Sequence, residues 1–127
     1  MIAYLLRRPK FPIICRIDST LLAAKSGAEL DSKLKSLGSI VDGNHDVIDG
    51  SGEGWSLNTE HMVISPICIK KTWTKKEIIQ MYNNSRCVGE TGKKYSEKSL
   101  SAKRLDRIVV DVAKLISDAN KKILVPR

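Results

Sequence analysis

The chain has 127 residues, 42% of them apolar and 28% charged, and a formal net charge of +8. That length fits one domain spanning 1–127 and excludes two ordinary ones; a chain of this size buries roughly two-thirds of its unfolded surface, so it needs no disulfide staples. The composition is globular, which excludes intrinsic disorder, and no apolar run approaches the ~20 residues of a membrane helix.

In chain order, Ile2–Leu6 and Phe11–Ile17 read as strands, separated by Arg7, Arg8, Pro9 and Lys10. Pro9 and Pro12 predict an edge position, because proline gives no donor to a ladder. The basic pair follows the apolar run, which is not the order of a signal peptide. Ser26 and Glu29 have capping-box spacing and predict a helix to Leu37, with Leu30, Leu34 and Leu37 on one side and Gly38 as its stop. An earlier start near Ser19, with Leu21 and Leu22 turned inward, also fits the pattern.

Ile40–Val41 reads as a short strand entering a glycine-rich acidic loop, 42–54, in which Val47 and Ile48 form an apolar island. Trp55–Leu57 and Met62–Ile69 read as further strands. The second is almost continuously apolar, as a strand covered on both faces would be, although Pro66 argues for an edge or a bulge. Thr74 and Glu77 form a second capping box, flanked by Trp73 and Ile78 in hydrophobic-staple positions. The helix they start runs to about Asn84 with Ile78, Ile79 and Tyr82 inward. After a polar loop, Leu105, Ile108, Val109, Val112, Ile116 and Ala119 repeat at helical spacing, predicting a helix from about Leu100 to Asn120. Ile123–Val125 either closes a strand or hangs free. The expectation is an α+β domain: a small mixed or antiparallel sheet of three to five strands with about three helices packed against it.

Charge is unevenly placed along the chain. Residues 1–38 carry +4, 39–69 carry −5, 70–104 carry +7 and 105–127 carry +2. The acidic segment contains no lysine or arginine, and it holds both histidines, His45 and His61. Asp42, His45, Asp46, Asp49 and Glu53 are its candidate ligand or partner residues. Asp42, Asn44, Asp46 and Glu53 fall at oxygen-ligand positions of a calcium loop, but Val47 stands where the sharp turn demands glycine. Acidic turn residues bonded to their own backbone are the simpler reading. His45 beside Asp46 would suit a general base and its orienting carboxylate only where a loop lets neighbours face each other. That leaves a small enzyme with a histidine–acid pocket as one alternative.

The basic segment supplies the candidate anion or nucleic-acid contacts: Lys75, Lys76, Lys93, Lys94, Lys98, Lys103 and Arg104. Lys75–Lys76 and Lys103–Arg104 open helices, where cations oppose the helix dipole and where Ser99 or Ser101 with free amides would make an anion pocket. The run from Gly89 to Lys94 fails as a phosphate loop, since Cys87 replaces its first glycine and Lys94 its hydroxyl residue. Aromatic residues are only 5%, few for stacking bases.

Cys15, Cys68 and Cys87 stand at no metal or redox spacing; Cys15 and Cys68 read as buried, and Cys87, next to Arg86, as exposed. Free thiols predict the cytoplasm. The expected function is non-catalytic binding or assembly by a homo-oligomer, most simply a dimer, with no cofactor, no metal and no membrane contact. Nucleic-acid or phosphorylated-ligand binding through the basic segment is the first alternative.

Overall fold

The computed structural model describes residues 2–17, 20–37, 42–67, 72–98 and 102–123. Six strands are present: β1 (Ala3–Tyr4), β2 (Ile13–Ile17), β3 (Thr20–Ala24), β4 (Asn44–Ile48), β5 (Gly54–Asn58) and β6 (Val63–Pro66). Among the described residues four helices accompany them: α1 (Gly27–Leu37), α2 (Lys75–Asn83), α3 (Cys87–Thr91) and α4 (Leu105–Ile123). The strands form one sheet in the order β1-β6-β5-β4-β2-β3. β1 runs parallel to β6 and every other pair is antiparallel. The class is the α+β one expected, with one strand and one helix more than the upper expectation.

The extra strands have clear causes. Thr20–Ala24, open to a helical reading, pairs residue by residue with β2, from Thr20 opposite Ile17 to Ala24 opposite Ile13. Alternation decides the matter. Leu21 and Ala23 enter one core while Leu22 and Ala24 enter the other, which a strand with both faces covered allows and one helix face does not. Val47 and Ile48 are likewise the buried end of β4 rather than an island in a loop, so the acidic segment is largely a hairpin. β2 lies inside the sheet between β4 and β3, because Pro12 precedes its ladder and takes no amide from it. The expected strand at Ile2–Leu6 is shortened to Ala3–Tyr4, and of Met62–Ile69 the described part, to residue 67, is strand over Val63–Pro66.

Each sheet face carries its own core. On one, α1 places Leu30 and Leu34 against Ile13, Cys15, Ile17, Val47, Trp55, Leu57 and Ile64. On the other, α2, α3 and α4 cover Ile14, Leu21, Ala23 and Ile48 with Ile78, Ile79, Tyr82, Ile108, Val112 and Ile116. The starts of α1 and α2 follow the sequence signals, whereas α3 lies in what read as a polar loop and α4 begins at Leu105 rather than near Leu100. Thr74 accepts from the Glu77 amide at 3.1 Å, and its own amide donates to Glu77 Oε1 at 3.0 Å. Trp73 and Ile78 are both buried in the same cluster, completing the staple. At α1, Ser26 Oγ accepts from the Glu29 amide, but the Glu29 carboxylate reaches the Lys25 amide instead of that of the cap residue.

Burial places Cys87 at 1% exposure at the head of α3, where an exposed residue was expected. Its thiol is pushed up by burial, against the lowering effects of Ser85 and Arg86. Cys15 is pushed up to about 12 by burial. Both behave as small apolar side chains. The Ile40–Val41 strand, Gly38, Cys68, Ser99, Ser101 and residues 124–127 lie outside the described residues.

Candidate polyanion-binding surface

The acidic residues that neighbour one another in sequence are dispersed by the hairpin. Asp46 faces Arg16 across the β2–β4 ladder and forms an ion pair with it. His45, one residue before, turns to the opposite face, in register with Leu57, and its Nε2 lies 3.5 Å from Thr59 Oγ1. The strand's period of two thus separates the proposed base from its carboxylate. Glu53 pairs with Arg7, whose guanidinium also sits 4.5 Å from the Trp55 ring centroid. Asp49 is 3% exposed and turned into the protein. Asp42 is exposed at the far end of the hairpin. Of the residues at calcium-loop positions, Asp46 is held by Arg16 and Glu53 by Arg7, and among the described residues no three His, Cys, Asp or Glu side chains form a group suited to a metal ion.

The basic residues are arranged differently. Segment 92–98 has no helix or strand of its own, yet side chains of α2 and α3 fix its backbone and one of α4 holds its tyrosine ring. Gly92 ends α3 in the left-handed conformation, φ 67°, with its amide bonded to the Val88 carbonyl. Tyr82 Oη of α2 donates to the Lys93 carbonyl at 2.6 Å, and the Lys93 amide donates to Thr91 Oγ1 at 3.2 Å. Asn83 clamps Tyr95 twice: its Nδ2 donates to the Tyr95 carbonyl at 2.9 Å and its Oδ1 accepts the Tyr95 amide at 2.8 Å. Tyr95 Oη then donates to Asp111 Oδ2 of α4 at 2.8 Å. Lys93 and Lys94 are therefore exposed cations on a restrained backbone.

Lys103 sits beside this clamp. Its Nζ is 2.9 Å from Asp111 Oδ2 and 3.2 Å from Tyr95 Oη, and the hydrogen bond to Asp111 raises its pKa. Arg104 is exposed and touches Asp106 at 3.3 Å. A shallow depression at the start of α4 is lined by Lys10, Ser51, Arg104 and Arg107, with Asp106 as its acid. Lys98 is exposed at the end of the clamped segment; Lys75 and Lys76 belong to the first turn of α2. Lys103 lies against Tyr95 of the segment that carries Lys93 and Lys94, and Arg104 lines the depression at the start of α4. Lys10 and Arg107 join Arg104 in that depression through the fold, a placement with no local sequence signal. Tyr95 and Asn83, which hold the segment still, were equally invisible because their partners are 12 to 16 residues away.

The clamp carries a pH signature. For Asp111, burial pushes the carboxyl up, but bonds from Lys103 and Tyr95 and the nearby cations outweigh it and leave the value below the ordinary 3.8. A folded-state value below the unfolded one stabilises the fold above that pH, and this contribution disappears as pH falls through the folded value. Asp111→Asn is expected to flatten the acid limb of stability below about pH 4 and to cost about 1 kcal/mol at pH 7. Urea midpoints measured from pH 2.5 to 7 test this; parallel curves for the two proteins would refute it.

Among the described residues, no helix is long and apolar enough to cross a membrane. Comparison with protein-family models, with curated proteins and with solved structures gives no match to this chain.

Proposed function

We propose that this protein acts by binding a polyanion, a nucleic-acid phosphate backbone, through the surface built around Lys93, Lys94, Lys98, Lys103 and Arg104. The observation that supports the reading is the clamp. Tyr82, Asn83 and Thr91 fix the backbone that presents Lys93 and Lys94, which lowers the ordering cost of engaging a ligand. The net charge of +8 favours approach of any polyanion, and the depression at α4 adds Lys10 and Arg107 to the contact. The low aromatic content favours contact with phosphates over stacking on bases, hence weak dependence on sequence.

Fluorescence anisotropy with labelled single-stranded RNA and duplex DNA at several salt concentrations tests the reading. Binding is expected to weaken steeply with salt, with log K falling by about 0.7 to 0.9 per tenfold in salt for each phosphate contact. A variant with Lys93, Lys94, Lys103 and Arg104 all changed to glutamine is expected to bind at least about tenfold more weakly, with a shallower salt slope. No binding by the native protein at low salt, or an unchanged variant, would refute the proposal.

We further propose that copies of the chain pair as a homodimer. Asp42 and Glu60 are exposed and carry no ion pair among the described residues, so they are available to the basic surface of a second copy. Free, buried Cys15 and Cys87 fit a reducing compartment, which supports a cytoplasmic location. Sedimentation velocity across a concentration range tests the dimer, a single monomeric species throughout being the contrary result.

A further inference from the structure

The two edges of the sheet are treated in opposite ways. Along the outer edge of β3, Asn120 Oδ1 accepts the Ala23 amide at 3.2 Å and Asn120 Nδ2 donates to the Leu21 carbonyl at 2.9 Å. Lys33 Nζ donates to the Ala23 carbonyl at 2.6 Å. Side chains of α4 and α1 thus occupy the groups an added strand would use.

The outer edge of β1 has no such cover among the described residues. Ala3 and Leu5 donate to the Met62 and Ile64 carbonyls of the β6 side at 3.0 and 2.9 Å. Tyr4, between them, therefore directs its N–H and C=O away from the sheet. Beside that edge lies a groove of about 440 Å³, lined by Ile2, Tyr4, Arg8, Gly27, Ala28 and Asp31. Its wall is formed by the first turn of α1, with Gly27 so close to Tyr4 Oη that a Cβ there would stand 2.5 Å away.

Arg8 sets the charge of the groove. Its guanidinium lies 5.3 Å from the Tyr4 ring centroid and has no carboxylate partner among the described residues. Asp31, the acid of the groove, is held by Lys35 at 3.1 Å. Arg8 is brought back over Tyr4 by a strained turn. Leu6 has φ 70° and is closed by a bond of 2.9 Å from the Arg7 amide to the Leu5 carbonyl, while Arg7 is anchored on Glu53 and Trp55. Such turns cost on the order of 1–3 kcal/mol and are kept where the surroundings impose them. This one also leaves Leu5 54% and Leu6 87% exposed beside the open edge.

From this contrast we infer that the free edge of β1 takes up an extended, acidic segment of another polypeptide as an added strand. Main-chain bonds to Tyr4 would supply affinity, and an acid on Arg8 with apolar side chains against Ile2, Ala28 and Leu6 would supply choice. A second copy pairing β1 with β1 answers this chemistry poorly, since residues 2–6 contain no acid to meet Arg8.

The probe is a short fluorescein-labelled peptide of alternating glutamate and valine, titrated by anisotropy, with a lysine–valine peptide and an N-methylated glutamate–valine peptide as controls. Saturable binding of the acidic peptide is expected, at least about tenfold weaker when its edge-facing amides are methylated. Arg8→Glu should reverse the preference toward the lysine peptide. Tyr4→Pro, which removes the outward donor and leaves the Ala3 and Leu5 bonds in place, should abolish binding. Should that variant not fold, hydrogen exchange on the native protein replaces it, with slower exchange at Tyr4 on adding the acidic peptide as the supporting outcome. The inference is overturned by absent saturation, by equal binding of the methylated peptide, by no preference for acid, or by a Tyr4 amide already protected in a dimer without peptide.

Discussion

Asp49→Ala is expected to lower the stability of the fold by about 3–5 kcal/mol, the larger of the two greatest single-residue effects anticipated. The carboxylate receives five donors. Oδ1 accepts from the Ser51 amide at 2.9 Å, Ser51 Oγ at 2.6 Å and the Glu53 amide at 3.0 Å; Oδ2 accepts from Trp55 Nε1 at 3.0 Å and the Lys10 amide at 3.3 Å. Removing it strands these donors in a loop already shaped for close approach. Gly50 packs against the Lys10 and Phe11 carbonyls, and Gly52, at φ 90°, lies against Leu105 of α4. The loop therefore ties the β4–β5 hairpin, the segment entering β2 and the last helix together. Asp49→Asn gives a finer test. An amide preserves the acceptor for three donors but opposes the other two with its own N–H groups, and about half of the loss should remain. Urea denaturation followed by Trp fluorescence measures both; a change under 1 kcal/mol in the alanine variant would show that water or neighbouring groups replace the carboxylate.

Asn120→Leu is expected to cost about 2–4 kcal/mol and to promote association through β3. Asn120 is 1% exposed, and the substitution keeps its approximate size, so packing loss is minor. What is lost is the pairing of the Ala23 amide and Leu21 carbonyl, with Lys33 Nζ also losing a partner at 3.2 Å. The uncovered groups are a template for another strand, and their neighbours Leu21 to Ala24 are apolar. Chemical denaturation reports the stability loss, and light scattering at rising concentration reports association. A stable, monodisperse variant would mean that the edge is shielded by α1 and α4 as bodies, without need of the amide.

Local signals carried well where their physics is local. The capping box at Thr74–Glu77 and the staple of Trp73 and Ile78 involve residues within one turn, and both formed. The apolar repeat from Leu105 to Ala119 placed α4 because one face of a helix must be buried. Signals failed where the deciding partner was distant. Thr20–Ala24 has no polar alternation, so its strand identity depends on having β2 beside it and helices above and below. Cys87 follows polar residues in sequence, yet α4 covers it. The acidic run looked like one patch because its positive partners, Arg7 and Arg16, lie 46 and 30 residues away from Glu53 and Asp46.

By itself the amino-acid order determined the class of the fold, the capped starts of α1 and α2, the apolar face of the last helix and the presence of exposed cations at Lys93, Lys94, Lys98 and Arg104, since propensity, capping and periodicity act within a few residues; α3, read as a polar loop, and the start of the last helix at Leu105 instead of Leu100 were not among them. Tertiary structure alone decided which charges are cancelled, that Asp49 and Asn120 are interior ties, that Tyr82 and Asn83 immobilise the basic segment, and that one sheet edge is sealed while the other stands open. Hydrogen bonds and ion pairs depend on separations of about 3 Å, and only the folded chain brings residues dozens of positions apart to that distance.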